Sequence, residues 1–293
     1  MTATSHRDLS TGCRLEPWFN DVLRDPLSKD HLLIENGNMV SSWGRRYPVD
    51  HGILDLRLYG SENGAGMREW SRGQLAYEYF AEHLVTTATV ALYLKEIEGV
   101  RPVYEEIPIR GSCLDVGGFD GRVRHFMQPD APYACVDPYI FAIANIARQP
   151  ALTSAYPELK DPRNFVCGHA EHLPIAGGVF DTVHMRSVID HFANPLLTIM
   201  EAARVLRTGG QLIIGVSVEG GPNGSPSIKE RVREFLRPIL VSMGFKRFRD
   251  HHTWHPTFPE LQDLLGRAGL GLDKVHWQAS AGGRVVYLRA CKH

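Results

Sequence analysis

Asp115, Gly117, Gly118 and Gly121 fall within seven positions of the stretch CLDVGGFDGRVRHF, residues 113–126. A short apolar run, Cys113, Leu114 and Val116, leads into them, and a basic-apolar segment with helical character follows. Glycine has no Cβ and accepts positive φ, so such a turn lets the backbone come close to a ligand. A second acid, Asp137 in YACVDPY, stands 22 positions after Asp115. An acid about 20 residues past a glycine turn is placed to hold the two hydroxyls of a ribose. The plainer alternative is a tight turn with no ligand and an Asp137 that caps a helix.

The order of residues discriminates between nucleotide-like ligands. A dinucleotide turn is Gly-x-Gly-x-x-Gly with a pyrophosphate on the following helix. Here Phe119 holds the middle position and Asp120 stands beside the turn, where an acid repels a pyrophosphate. A cation suits that setting, and S-adenosylmethionine carries both an ammonium and a sulfonium.

Histidines supply candidate proton acceptors, since imidazole titrates near neutrality. The chain has 14. His191, in VIDHF, follows the fourth strand-like run. His251, His252 and His255 lie in DHHTWHPTFPELQDLLGRAGL, ahead of an amphipathic segment that Thr257 and Glu260 are spaced to cap. His191, His252 and His255 are candidate general bases; the alternative for each is loop or cap packing.

These residues need elements to hold them. From about 110 onward, strand-like runs (GSCLDVGG, YACVDP, NFVCGH, FDTVHM, GQLIIGVSV) alternate with helical segments. That alternation implies an α/β fold with a doubly wound, mostly parallel sheet, because parallel strands need crossover connections. Residues 21–58 read as a small β-rich unit with a hairpin at Asn36-Gly37-Asn38. YGSENGAGM reads as a linker, and residues 68–98 as helical. In that helical stretch Trp70, Tyr77 and Tyr79 either close over the pocket or simply pack. The domain boundaries expected are an N-terminal unit at 1–60, a linker and helical cap at 61–109, and a core at 110–293 with a helical insertion at about 222–256. From Lys229 to Asp250 that insertion has seven basic residues against three acids. It reads as a solvated helix face, a lid over an anionic acceptor, or a patch for nucleic acid or phosphorylated glycan. Ile228, Val232, Phe235, Leu236 and Ile239 are expected to turn inward.

Bulk properties remove other classes. At 293 residues, 43% hydrophobic and 22% charged, with a formal net charge of −1, the chain has the balance of a globular protein with no global field toward nucleic acid or membrane. No apolar run approaches the roughly 20 residues that span a bilayer, and the first residues lack the apolar core of a secretion signal. Five cysteines stand far apart with no Cys-x-x-Cys, which argues against a disulfide framework and for a cytoplasmic setting.

The chain resembles the class I S-adenosylmethionine-dependent methyltransferases over roughly residues 110–216. LDVGGFDG is similar to their first motif, with Phe119 in place of a glycine, and CVDPY to their second. CGHAEHLPIAGGVFDTVHMRSVIDHFANPLLTIMEAARVLRTGGQLIIGV follows the family pattern, with His169 where an Asp is usual. The resemblance implies a seven-stranded Rossmann-like core and S-adenosylmethionine as cofactor. It would place Asp115, Gly117, Gly118 and Gly121 around the methionine portion and Asp137 at the ribose. His169, Ala170 and Glu171 would lie at the adenine, with Arg186 and Ser187 on the floor where the methyl moves. The expected reaction is methyl transfer to a small metabolite or sugar, an anionic one included, most often at oxygen. The alternatives are a non-catalytic cofactor-binding partner, with a homodimer as one use of its surface, and an RNA methyltransferase.

The N-terminal unit, LRDPLSKDHLLIENGNMVSSWGRRYPVDHGILDLR, resembles the small Trm112-like module. Asp25-Pro26 stands where that module has Cys-Pro, and Ser28 stands at its second cysteine. Without those soft ligands no zinc or other metal is expected there.

Overall fold

The runs CLDV (113–116), YACVD (133–137) and FVC (165–167) are buried at every residue, the pattern of parallel strands covered on both faces. In a computed structural model, the protein is described at residues 15–35, 38–58, 88–140, 144, 146–161, 163–225, 228–243, 252–278 and 284–293. Trp70, Tyr77, Tyr79, the linker at 59–67, His251 and the basic residues at 246–249 lie outside the described residues.

In chain order the elements are α1 (Pro17–Val22), β1 (Leu33–Glu35), β2 (Asn38–Val40), β3 (Arg46–Tyr47), β4 (Val49–Asp50), β5 (Ile53–Asp55) and α2 (Val90–Glu106). Then come β6 (Cys113–Val116), β7 (Tyr133–Asp137), α3 (Pro150–Ala155), β8 (Phe165–Cys167), β9 (Phe180–Arg186), α4 (Pro195–Val205) and β10 (Leu206–Ser217). The chain closes with α5 (Ile228–Ser242), α6 (Phe258–Arg267), β11 (Leu270–Gln278) and β12 (Val285–Lys292). The main sheet runs β11-β12-β10-β9-β6-β7-β8-β5-β4. Strands β6 to β12 are the seven expected, parallel except for β12, which is antiparallel to both β10 and β11. The chain steps outward from β6 through β7 to β8, then returns to place β9 on the other side of β6. Between β6 and β9 the strand order therefore reverses, and in open α/β sheets ligands bind beyond the carboxyl ends of strands at that point.

Two further strands come from the N-terminal unit. β5 pairs parallel with β8 (Leu54 with Val166, Asp55 with Cys167), and β4 pairs with β5. Lys29 Nζ, 2.7 Å from Glu201 Oε2 on α4, fixes the unit on a second side. β1, β2 and β3 form a separate antiparallel sheet, with β1 and β2 paired across the expected hairpin. Asp25, where the resembled module has a cysteine, is buried. Its Oδ1 accepts from the backbone N–H of Leu27 and Ser28, each at 2.8 Å, and its Oδ2 accepts from the buried Tyr47 hydroxyl at 2.6 Å. Burial opposes ionisation of Asp25, but the bonds from Tyr47, Ser28 and Leu27 hold its carboxyl below the usual carboxylate range. A carboxylate thus knits this loop.

One expectation is corrected. The apolar stripe of α5 does not turn inward: Ile228 is 82% and Phe235 76% exposed, and Val232, Leu236 and Ile239 are exposed as well. Helical periodicity gathers these residues on one face, but it does not supply an element to cover that face. α6 begins as expected, with Thr257 and Glu260 forming a reciprocal capping box.

The turn after β6 is strained at one residue. Gly117 and Gly121 have φ of +67° and +84°, and a Cβ on Gly117 would stand 2.7 Å from Val188 Cγ1. Phe119, in the middle position, also has positive φ, 54°, where a side chain costs about 1–2 kcal/mol. Glycine at 119 is therefore expected to be more stable than alanine by about 1 kcal/mol in urea denaturation, the reverse of the order at an ordinary position. Asp25→Ala leaves the buried Tyr47 hydroxyl and the part-buried N–H groups of Leu27 and Ser28 without their acceptor and should cost about 3 kcal/mol in the same assay. A loss under about 0.5 kcal/mol would remove the knitting role given to that carboxylate.

Candidate active site

A cavity of about 330 Å³ opens at the reversal between β6 and β9. Nine of the ten sequence-predicted cofactor residues line it: Asp115, Gly117, Gly118, Asp137, His169, Ala170, Glu171, Arg186 and Ser187. Gly121 does not. Its positive φ closes the turn one step behind the wall, where a Cβ would meet the Tyr133 hydroxyl at 2.8 Å. Of the three histidines proposed as bases, His191 lines the cavity and His252 and His255 do not. Those two continue outward from it. The His252 ring stacks on His191 at 4.4 Å between centroids, and His255 meets His252 edge-on at 5.7 Å.

Asp115 anchors the floor. Strand register sets it opposite His184 on β9, and Asp115 Oδ1 lies 2.8 Å from His184 Nδ1. A carboxylate oxygen accepts, so Nδ1 donates and Nε2 is left to accept from the Tyr104 hydroxyl, 2.9 Å away. Tyr133 donates to the other oxygen of Asp115 at 3.1 Å. All four groups are buried, so they form a satisfied polar chain through the core from α2 to β7.

Asp137 ends β7. Its two oxygens accept from the backbone N–H of Tyr139 and of Phe119, each at 2.8 Å, which ties the glycine turn to the neighbouring strand. Burial pushes its carboxyl up to about 7 against those two bonds, and the nearby Asp115 and Asp120 carboxyls add to the rise. Asp120 is buried with Oδ1 held by Arg122 Nε at 2.8 Å. Its Oδ2 is buried with no hydrogen-bond partner, and burial raises its pKa.

Glu96 closes the wall from α2. It reaches Arg122 at 2.7 Å and Arg186 at 3.0 Å; burial works against ionisation, but the two guanidiniums hold its carboxyl below the ordinary range. At the opposite end, burial lowers His169 to about 4, with Arg57 and His172 contributing, so the ring is neutral near pH 7. Arg57, just past β5, donates to the Pro138 carbonyl at 3.1 Å and pairs with Asp55. The N-terminal unit thereby braces the segment after Asp137.

Sequence reading missed Glu96, Tyr104, Arg122 and His184. Glu96 and Tyr104 are eight residues apart on α2 and so share a face. His184 is the residue of β9 in register with Asp115 on β6. Both signals are visible once the strand order is known and not before.

Comparison with known proteins agrees with this geometry. A family described as a methyltransferase domain matches residues 114–214. A Caenorhabditis elegans protein, 2-methoxy-6-polyprenyl-1,4-benzoquinol methylase, mitochondrial, is 28% identical over 116 residues, 37% of this chain; the match spans 39% of that relative's length. Among solved structures, a protein of Pyrococcus horikoshii is 17% identical with a TM-score of 0.49, covering 71% of this chain and 93% of its own. An S-adenosylmethionine-dependent methyltransferase of Thermotoga maritima is 20% identical with a TM-score of 0.47, covering 77% of this chain and all of its own. Residues 114–214 are thus similar in sequence to a methyltransferase domain.

Proposed function

We propose that this chain transfers the methyl group of S-adenosylmethionine to an oxygen of a small metabolite or sugar. The observation that carries the reading is the buried Asp120 Oδ2, which takes no hydrogen bond from the protein in a wall that bears five carboxyl groups and two guanidiniums. A buried carboxylate oxygen without a partner is costly, and the ammonium of the cofactor's methionine end answers it. Arg122 and Arg186 are at hand for the methionine carboxylate, and Asp137 for the ribose hydroxyls. His169, Ala170 and Glu171 border the adenine, where a neutral imidazole can share a hydrogen bond without charge.

The cofactor supplies an already activated methyl group. The chain has to align the acceptor, exclude water and take up the acceptor's hydroxyl proton. Alignment and exclusion fall to the wall made by Arg186, Ser187 and Phe192, and proton uptake to the histidine cluster that His191 begins. A second reading, an acceptor with a long apolar tail, is favoured by the exposed stripe of α5 and by the polyprenyl substrate in the relative's name. Labelling cell extract with tritiated methyl donor and this protein separates the two: label in the aqueous fraction fits the first, label in the lipid fraction the second.

Asp137→Ala should weaken S-adenosylhomocysteine binding by about 1–3 kcal/mol, read by calorimetry; unchanged affinity would remove Asp137 from the ribose. The pH dependence has a definite sign. A carboxyl at about 7 in the folded chain and near 4 in the unfolded one stabilises the fold fully below pH 4, and that contribution is lost as pH rises through 7. The ribose hydroxyls donate to the ionised form, so affinity for S-adenosylhomocysteine should tighten from pH 6 to pH 8. Asp137→Asn should flatten both profiles.

A further inference from the structure

We propose that Asp190, His191 and His252 bind one divalent transition-metal ion at the mouth of the cavity. Asp190 Oδ1 lies 3.8 Å from His191 Nε2, and Asp190 Oδ2 lies 3.4 Å from His252 Nε2. One donor atom from each of the three residues falls within 4.8 Å of the others. Nitrogen and oxygen ligands about 2.1 Å from a common ion stand roughly 3.0–3.4 Å apart, depending on geometry. The cluster is therefore within a small adjustment of a coordination shell.

Two independent features point the same way. Asp190 is 8% exposed, and its Oδ1 is buried with no hydrogen-bond partner. The imidazole nitrogen facing that oxygen stands too far off for a hydrogen bond. An ion between them answers the orphaned oxygen. The second feature is the way the two segments are locked together. The Asp190 carbonyl accepts from the N–H of Thr253 at 2.8 Å and of Trp254 at 3.2 Å, and the Thr253 hydroxyl bridges the carbonyls of Asp190 and Phe192. Residues about 60 positions apart in sequence are thus fixed in register, and His252 is carried to Asp190 by backbone bonds rather than by its own side chain. That is the support a preorganised site needs.

Two imidazoles and one carboxylate select zinc, iron(II), cobalt or nickel over magnesium or calcium. Three protein ligands leave positions open on the ion, and His191 and Phe192 both face the cavity. Resting on the methyl-transfer reading, the ion's use follows. An acceptor with two adjacent oxygens chelates the open positions, and one hydroxyl, acidified by the ion, gives its proton to solvent. That oxygen forms the new C–O bond as the C–S bond breaks with its electron pair to sulfur, leaving a neutral thioether. With the ion bound, His191 and His252 are its ligands, and solvent rather than either imidazole takes the acceptor's proton.

The test uses the full chain without an affinity tag, stripped with chelator and titrated with cobalt(II). The expected result is one equivalent per chain with visible d–d absorption, and a drop in affinity of more than about tenfold in both Asp190→Asn and His252→Gln. S-adenosylhomocysteine binding, retained in both variants, checks that they fold. No cobalt binding by the unaltered chain, or equal binding by the variants, overturns the site. Cobalt bound by a chain that ignores S-adenosylhomocysteine leaves the ion site standing and removes the methyl-transfer reading; the converse result removes only the ion.

Discussion

Burying a carboxylate is unfavourable unless something in the protein or a ligand answers its charge, and the crevice between β6 and β9 buries several. Each is answered differently. Asp115 has a histidine and a tyrosine hydroxyl, Asp137 two backbone N–H groups, and Glu96 two guanidiniums. Asp120 has a partner on only one oxygen. A wall with five carboxyl groups, two guanidiniums and one unpaired carboxylate oxygen is electrostatically suited to a cation.

The bracing around that wall comes from parts of the chain far from the glycine turn. Arg57 holds the Pro138 carbonyl from the N-terminal side, and Glu96 holds Arg122 and Arg186 from α2. Tyr104 completes the polar chain that begins at Asp115. The two N-terminal strands extend the sheet beyond β8, so the small unit serves as a wall of the core as well as an appendage. Its own loop is held by Asp25 and Tyr47, and each oxygen of that carboxylate has a donor.

What the sequence made legible was local. Asp115, Gly117 and Asp137 could be found because a strand, a turn and the next strand lie within 25 residues, and turn chemistry is encoded where it occurs. The Thr257–Glu260 cap was legible for the same reason. His184 was not, because its meaning depends on β9 lying beside β6, a pairing across 69 residues. Gly121 was assigned to the pocket from its motif, whereas its φ serves the turn behind it. The apolar face of α5 was read correctly as a face and wrongly as an inward one: periodicity reports what a helix separates, not what neighbour it meets.

That helix belongs to an insertion whose two ends are tied together. Glu219 at the end of β10 bridges to Thr257 and donates its N–H to the Pro256 carbonyl, while Thr253 is pinned to the loop after β9. The flanks of the insertion therefore meet at the carboxyl edge of the sheet, and the apolar stripe of α5 is exposed. Changes of length within a closed loop cost little, because closure entropy grows only logarithmically. The insertion can thus vary in length and surface while His252 stays against Asp190.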